Sequence, residues 1–177
     1  CRPSDVESKR TGGPSAGQRF QRTAQFEPRS ALPRLSVAVF VDTNILIYSI
    51  SDSLDADEQR KSILAGDLLQ RRDDLVLSVQ VLQEFYVQST RPTRPGALSH
   101  ELACEFIESW KRFRIVDVTS EVLDRALGIR AETGFQYWDC AILAAAQLSG
   151  CDVLFTEDLQ DGRTIGGVAV TNPFAAA

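Results

Sequence analysis

The sequence predicts an α/β domain in three layers, with a central, mainly parallel sheet covered by helices on both faces. Two observations predict it. Short runs such as Val39-Phe40-Val41 and Leu75-Val76-Leu77 are continuously apolar instead of alternating, the pattern of strands buried on both faces. Between them lie stretches with helical spacing, long enough for the crossovers that join parallel strands. At 177 residues, 44% hydrophobic and 24% charged, the chain suits one domain with a sizeable core.

Residues 1–36 precede the first strand and are rich in Gly, Pro, Ser, Gln and Arg without any period, so we expect them to be disordered. The chain has no methionine and begins with Cys1. One reading therefore takes 1–36 as upstream sequence outside the native protein, with Val37 as the start; a lipid-anchored Cys1 is the weaker alternative. The domain proper is expected over 37–177. Its first strand is interrupted by Asp42-Thr43-Asn44 before apolar residues resume at Ile45. An unpaired buried carboxylate costs several kcal/mol, so Asp42 belongs at the carboxyl end of that strand, open to water or a cation. That end is where open α/β sheets place their ligands.

A helix follows over Asp55 to Arg72, with Asp55, Asp57 and Glu58 early and Arg71-Arg72 late, as the helix dipole favours. Leu64, Ala65, Leu68 and Leu69 form its expected inner face. After the strand at Leu75, Ser78 can cap a helix through Val81, Leu82, Phe85 and Tyr86, with Glu84 beside its apolar stripe. The two prolines of Arg91-Pro92-Thr93-Arg94-Pro95-Gly96 make that stretch a loop. Ser99 opens a helix with Leu102, Ala103, Phe106, Ile107 and Trp110 inward, and Phe113 to Val118 alternates as a strand. Thr119 or Ser120 caps the next helix, which ends near Gly134 with Val122, Leu123, Ala126 and Leu127 inward. Tyr137-Trp138-Asp139 begins a strongly apolar helix that ends at Gly150. Strands are expected at Asp152 to Thr156 and at Val168 to Val170, separated by Glu157-Asp158 and a turn at Asp161-Gly162.

Composition narrows the chemistry. Cys1, Cys104, Cys140 and Cys151 form no CxxC pair, and His100 is the single histidine, which argues against zinc and for a reducing, cytoplasmic setting. Cys104, Cys140 and Cys151 sit among apolar neighbours and are expected to be inert core residues. No apolar run approaches the roughly 20 residues that span a bilayer. Residues 1–36 carry seven Lys/Arg against three Asp/Glu; the remainder carries 12 against 21. So acidic a domain binds polyanions poorly unless cations offset its acids.

Four acids lie beside or inside apolar segments. Asp42 and Asp158 follow strand ends, and Asp139 and Glu84 lie in the first two turns of helices that begin at the same rim. Each has a purely structural reading as well: Asp42, paired with Asn44, can serve only a turn or a helix cap. Asp139 can serve the helix dipole, Glu84 can be an exposed helix residue, and Asp158 a turn acid that Glu157 or Asp161 could replace as a ligand. Four converging carboxylates could not all stay ionised alone. A divalent cation removes the conflict, and an all-oxygen set favours Mg²⁺, or Mn²⁺, over zinc.

Asp42-Thr43-Asn44-Ile45, Glu84-Phe85-Tyr86, Tyr137-Trp138-Asp139, Leu154-Phe155-Thr156-Glu157-Asp158 and Asn172-Pro173-Phe174, in that order and spacing, resemble the PIN-domain family across residues 37–174. Members of this size resemble the toxins of VapBC-type toxin–antitoxin pairs. The resemblance implies a PIN-like α/β/α fold and an Mg²⁺-dependent endoribonuclease, usually a homodimer held inactive by a small antitoxin. It assigns Asp42, Glu84, Asp139 and Asp158 to the catalytic acids, with Asp42 and Asp139 as the leading direct metal ligands. Glu84 and Asp158 then complete a second metal position or orient the water, while Asn44 and Thr156 support by hydrogen bonding. Glu157 departs from the family, where many relatives carry a basic residue, and adds negative charge at the mouth of the site. RNA docking would fall to Arg91 and Arg94, with Lys111, Arg112 and Arg114 as further candidates. An antitoxin arginine would compete with the metal for the carboxylates.

Three other classes fit the residues less well. A phosphorelay receiver needs a lysine near the last strands, and Lys9, Lys61 and Lys111 all come too early. A haloacid dehalogenase-type phosphatase needs a second acid where Asn44 stands. Dinucleotide binding lacks a GxGxxG. The remaining alternative is an inactive PIN-fold module that binds RNA or protein.

Overall fold

A computed structural model of the protein describes residues 37–175. The expected disorder of 1–36 and the proposed start at Val37 therefore lie outside, or at the edge of, the described residues. The described residues form six strands and six helices in the order β1 Val39–Val41, α1 Thr43–Ser49, α2 Ala56–Arg71, β2 Leu75–Ser78, α3 Val79–Ser89, α4 His100–Trp110, β3 Arg114–Val116, α5 Ser120–Thr133, α6 Tyr137–Leu148, β4 Val153–Phe155, β5 Thr164–Ile165 and β6 Val168–Thr171. The sheet order is β3-β2-β1-β4-β6-β5, parallel throughout except for the β5–β6 pair at one edge.

The chain leaves β1 toward β2 and β3, then crosses back to β4. Right-handed crossovers consequently put α1–α4 on one face and α5–α6 on the other. The packing of α1 on α2 and α3, and of α5 on α6, agrees. The strands carry the core on both faces: Phe40, Val41, Leu75, Leu77 and Leu154 are almost wholly buried. Connections diverge from between β1 and β4, which makes their carboxyl ends the switch point of the sheet. Among the described residues no helix is long and apolar enough to cross a membrane.

The apolar residues after Asp42 form a helix, α1, in keeping with the capping alternative for Asp42, which accepts from Thr43 N while Ile45 and Leu46 bury their side chains. Several expectations are corrected. The inner stripe of α5 is Val122, Ala126 and Ile129, spaced i, i+4, i+7, so Leu123 and Leu127 face outward. On α2 the buried pair is Ala65 and Leu69, and Leu64 lies on the exposed flank; on α4 the stripe runs through Ala103 and Trp110 and leaves Leu102 outside. Cys104, one residue on from Ala103, is exposed and not in the core, whereas Cys140 and Cys151 are buried. Strand β5 escaped the sequence reading because it is two residues long. It turns into β6 through Gly166 and Gly167, both at positive φ, as a two-residue hairpin of this hand demands. A side chain at Gly166 would also collide with the Gln147 amide.

Candidate active site

Burial dictates how Asp42 is held. It ends β1 at the switch point and is 6% exposed, so its carboxylate must find donors within the protein. Thr43 N donates to Oδ1 at 2.6 Å, and Thr156 Oγ1 donates to Oδ2 at 2.6 Å from just beyond β4. Asn44 Nδ2 donates to the same Oδ2 at 3.2 Å and to Asp158 Oδ2 at 3.1 Å, so one amide nitrogen spans two carboxylates. Thr156 Oγ1 in turn accepts from Asp158 N at 3.1 Å. The strands β1 and β4 pair in register from Val39 to Val41, which delivers these groups to the same level of the rim.

Glu84 arrives on α3. Its register puts Phe85 in the core and Glu84 at the rim, where Thr43 Oγ1 donates to Oε2 and Gln80 Nε2 to Oε1, each at 2.9 Å. Asp139 enters from the opposite helical layer, in the first turn of α6, partly buried. Asp42, Glu84, Asp139 and Asp158 line one cavity of ≈ 590 Å³. Burial, together with the charges of Asp158 and Glu84, raises the Asp42 carboxyl to about 7 against the hydrogen bonds from Thr156 and Thr43 N. Burial first, and then the same two neighbours, also raises Asp139.

The donor set can be tested for a cation. Among the described residues no three His, Cys, Asp or Glu side chains are already drawn around one point closely enough to hold an ion. Mg²⁺ does not require that, since it keeps several waters and takes one or two carboxylates. The cavity is lined by carboxylate, hydroxyl and amide oxygens with no His or Cys ligand, its acids repel one another, and Asn44 Oδ1 is buried without a partner among the described residues. The residues present fit a hard divalent cation.

Glu157 behaves differently from its neighbour. Lys61 Nζ pairs with Oε2 at 2.8 Å and Tyr48 Oη donates to Oε1, while Lys61 also lies 4.8 Å from the Tyr48 ring centroid. The extra charge expected at the mouth is therefore matched within the chain. Phe174 packs edge-on to Tyr48 at 5.1 Å, which docks the Asn172-Pro173-Phe174 segment on the same cluster. Asp161, the other substitute considered for Asp158, accepts from Asn172 N at 2.8 Å.

Arg94 lines the acidic cavity, and Arg91 lines a groove beside it. Lys111, Arg112 and Arg114 do not join them. Arg114 begins β3 at the amino end of the parallel sheet, away from the rim, and donates to Ser149 O. Arg112 donates to Leu69 O, an acceptor in the last turn of α2, and Lys111 pairs with Glu108. Sequence reasoning missed Thr43, Gln80, Lys61 and Tyr48 around the acids. Gln80 alone left a signal, its i, i+4 spacing to Glu84 on one helix.

No curated protein matches the chain. Solved structures with the same fold include a toxin–antitoxin complex from Klebsiella pneumoniae, at 23% identity and TM-score 0.57 over 76% of this chain and 97% of that one. FitAcB from Neisseria gonorrhoeae matches at 21% identity and TM-score 0.53, covering 78% and 99%. VapC20 of Mycobacterium tuberculosis, a sarcin-ricin loop cleaving toxin, matches at 20% identity and TM-score 0.51, covering 68% and 91%. At these identities the likeness is one of fold. The PIN domain profile, in contrast, matches residues 39–161 directly, a span that contains all four rim acids and both polar residues between them. The chain belongs to the PIN domain family.

Proposed function

We propose that this protein is a metal-dependent endoribonuclease, the toxin of a toxin–antitoxin pair, that uses Mg²⁺ or Mn²⁺ to hydrolyse RNA phosphodiester bonds. The observation that carries the reading is the cavity itself: four carboxylates from both helical layers and two strand ends meet at the switch point, and burial holds Asp42 short of full ionisation. When bound, a divalent cation neutralises such acids, acidifies water and offsets charge developing on a phosphodiester.

The chain's own residues supply the rest. Asp42 and Asp139 would hold the cation, with Asp42 fixed by three donors that leave one lone pair, on Oδ1, unused. Glu84 and Asp158, oriented by Thr43, Gln80 and Asn44, orient the attacking water or complete a second cation position. Arg94 at the rim receives the phosphate backbone. The toxin–antitoxin complexes of the same fold support an antitoxin partner, and an acidic domain suits a basic one. We further assign the active form to a homodimer and the native setting to the cytoplasm.

The test is cleavage of RNA by the wild-type protein and by Asp42→Asn, with and without Mg²⁺. Metal-dependent cleavage by the first and none by the second is expected. Undiminished cleavage by Asp42→Asn would sink the mechanism, and RNA binding without any cleavage by the wild type would leave a binding module.

A further inference from the structure

Burying an indole removes a large apolar area from water, and Trp110 does so, 5% exposed and packed against Phe85 and Phe106. Trp138 does the opposite. It is 61% exposed in the first turn of α6, and among the described residues only Tyr137 is an aromatic neighbour, edge-on at 5.2 Å. Its place is specific. Trp138 directly precedes Asp139 and lines the acidic cavity, and it also lines an adjoining groove of ≈ 520 Å³ with Gln83, Val87, Gln88 and Arg91. Glu84 and Gln88 are shared by both hollows, so the two adjoin.

The chemistry changes along this path. The first hollow is acidic, whereas beyond Glu84 the groove offers amides, one aliphatic side chain and a guanidinium. Gln83 and Gln88 are exposed and make no side-chain hydrogen bond among the described residues, unlike Gln80, which is committed to Glu84. An aromatic face, free amides and an arginine beside a phosphodiester site are what an unstacked nucleotide requires: a surface for the base, groups for its edge, and a cation for the next phosphate.

We propose that Trp138 is a base-stacking platform, on which the nucleobase adjoining the scissile phosphodiester lies while Arg91 holds the phosphate beyond it. The site thereby selects single-stranded RNA, because a duplex hides its base faces in its own stack. This rests on the ribonuclease reading above and names the substrate form that site accepts.

Two tryptophans in such different settings make the test direct. A short single-stranded oligoribonucleotide is titrated into the full-length Asp42→Asn protein with Mg²⁺, following tryptophan fluorescence and, independently, the anisotropy of a label on the RNA. Quenching that tracks binding is expected; it persists in Trp110→Phe and is absent with the RNA in duplex form. In the cleaving protein, Trp138→Ala lowers kcat/KM for single strands roughly 5- to 150-fold, the range of one lost base stack, and Trp138→Phe recovers most of it. A substrate abasic at the stacking position loses a similar factor with the wild type and little more with Trp138→Ala. Binding without quenching, or unchanged kcat/KM in Trp138→Ala, overturns the stacking role alone and leaves the indole to a protein partner such as the antitoxin. Failure of the wild type to bind or cut any RNA overturns the underlying reading as well.

Discussion

Two aspartates at opposite ends of the same sheet meet opposite treatment. Asp74 precedes β2 at the amino end, where Arg72 grips both its oxygens at 2.8 and 2.7 Å. That hydrogen-bonded partner lowers its carboxyl below the ordinary value. Asp42 follows β1 at the carboxyl end, is more deeply buried, and receives only neutral donors, so burial dominates and raises it to about 7. Glu157 and Asp158 repeat the contrast over one residue, since Lys61 reaches the first and not the second. The difference teaches where function lies: Asp74 and Glu157 are paired with cations of the chain, whereas among the described residues none of the four rim acids forms an ion pair. Neutral donors orient the rim carboxylates without cancelling their charge, which leaves the attraction for something that arrives from solution.

Breaking the contrast at the rim should have the largest effect. Asp42→Asn is expected to lower RNA cleavage by more than the roughly 100-fold that outer contacts to a metal site are worth, measured as kcat/KM. Thr156→Val keeps the shape but removes the donor to Asp42 and should cost about 10- to 100-fold in the same assay. Adding a divalent cation should also stabilise the fold: at a concentration about 100 times its Kd, Mg²⁺ contributes about 2.7 kcal/mol. Thermal melts should rise by roughly 5–10 °C, and that rise should vanish in Asp42→Asn. An unchanged melting temperature would remove the cation from the site.

The pH dependence separates the two acids by sign. A folded-state value above the unfolded one means that Asp42 favours the fold most strongly below its ordinary value of 3.8. That advantage is lost as pH rises through about 7. Metal-free Asp42→Asn should therefore gain about 1–2 kcal/mol over wild type near pH 8 and converge with it near pH 4, read by urea melts at each pH. Asp74 runs the other way, with its contribution present above its ordinary value and lost in acid. Arg72→Ala, the smallest of these changes, should cost about 0.5–1 kcal/mol at neutral pH and leave cleavage untouched.

Much of this was legible along the chain because it depends on local order. Buried parallel strands announce themselves as continuous apolar runs, and Ser78, Ser99 and Thr119 cap their helices as their side chains predict. The open readings and the errors lie where local pattern is ambiguous: α1 is an apolar run too short for periodicity to separate helix from strand, and the α5 stripe is turned by one residue from its expected face. Cys104 was misplaced for the same reason, since apolar neighbours in sequence need not be neighbours in space.

The sequence by itself determined that acids stand at strand ends and in first helical turns, because backbone geometry sends all such positions to one rim of a parallel sheet. Only the tertiary structure decided which partner each acid receives. Thr43 reaches Glu84 across 41 residues and Asn44 reaches Asp158 across 114, while Lys61 is spent on Glu157 and Trp138 is left bare. Side-chain pairing depends on distance through space and on the dielectric around each group, and neither is fixed until the layers have packed.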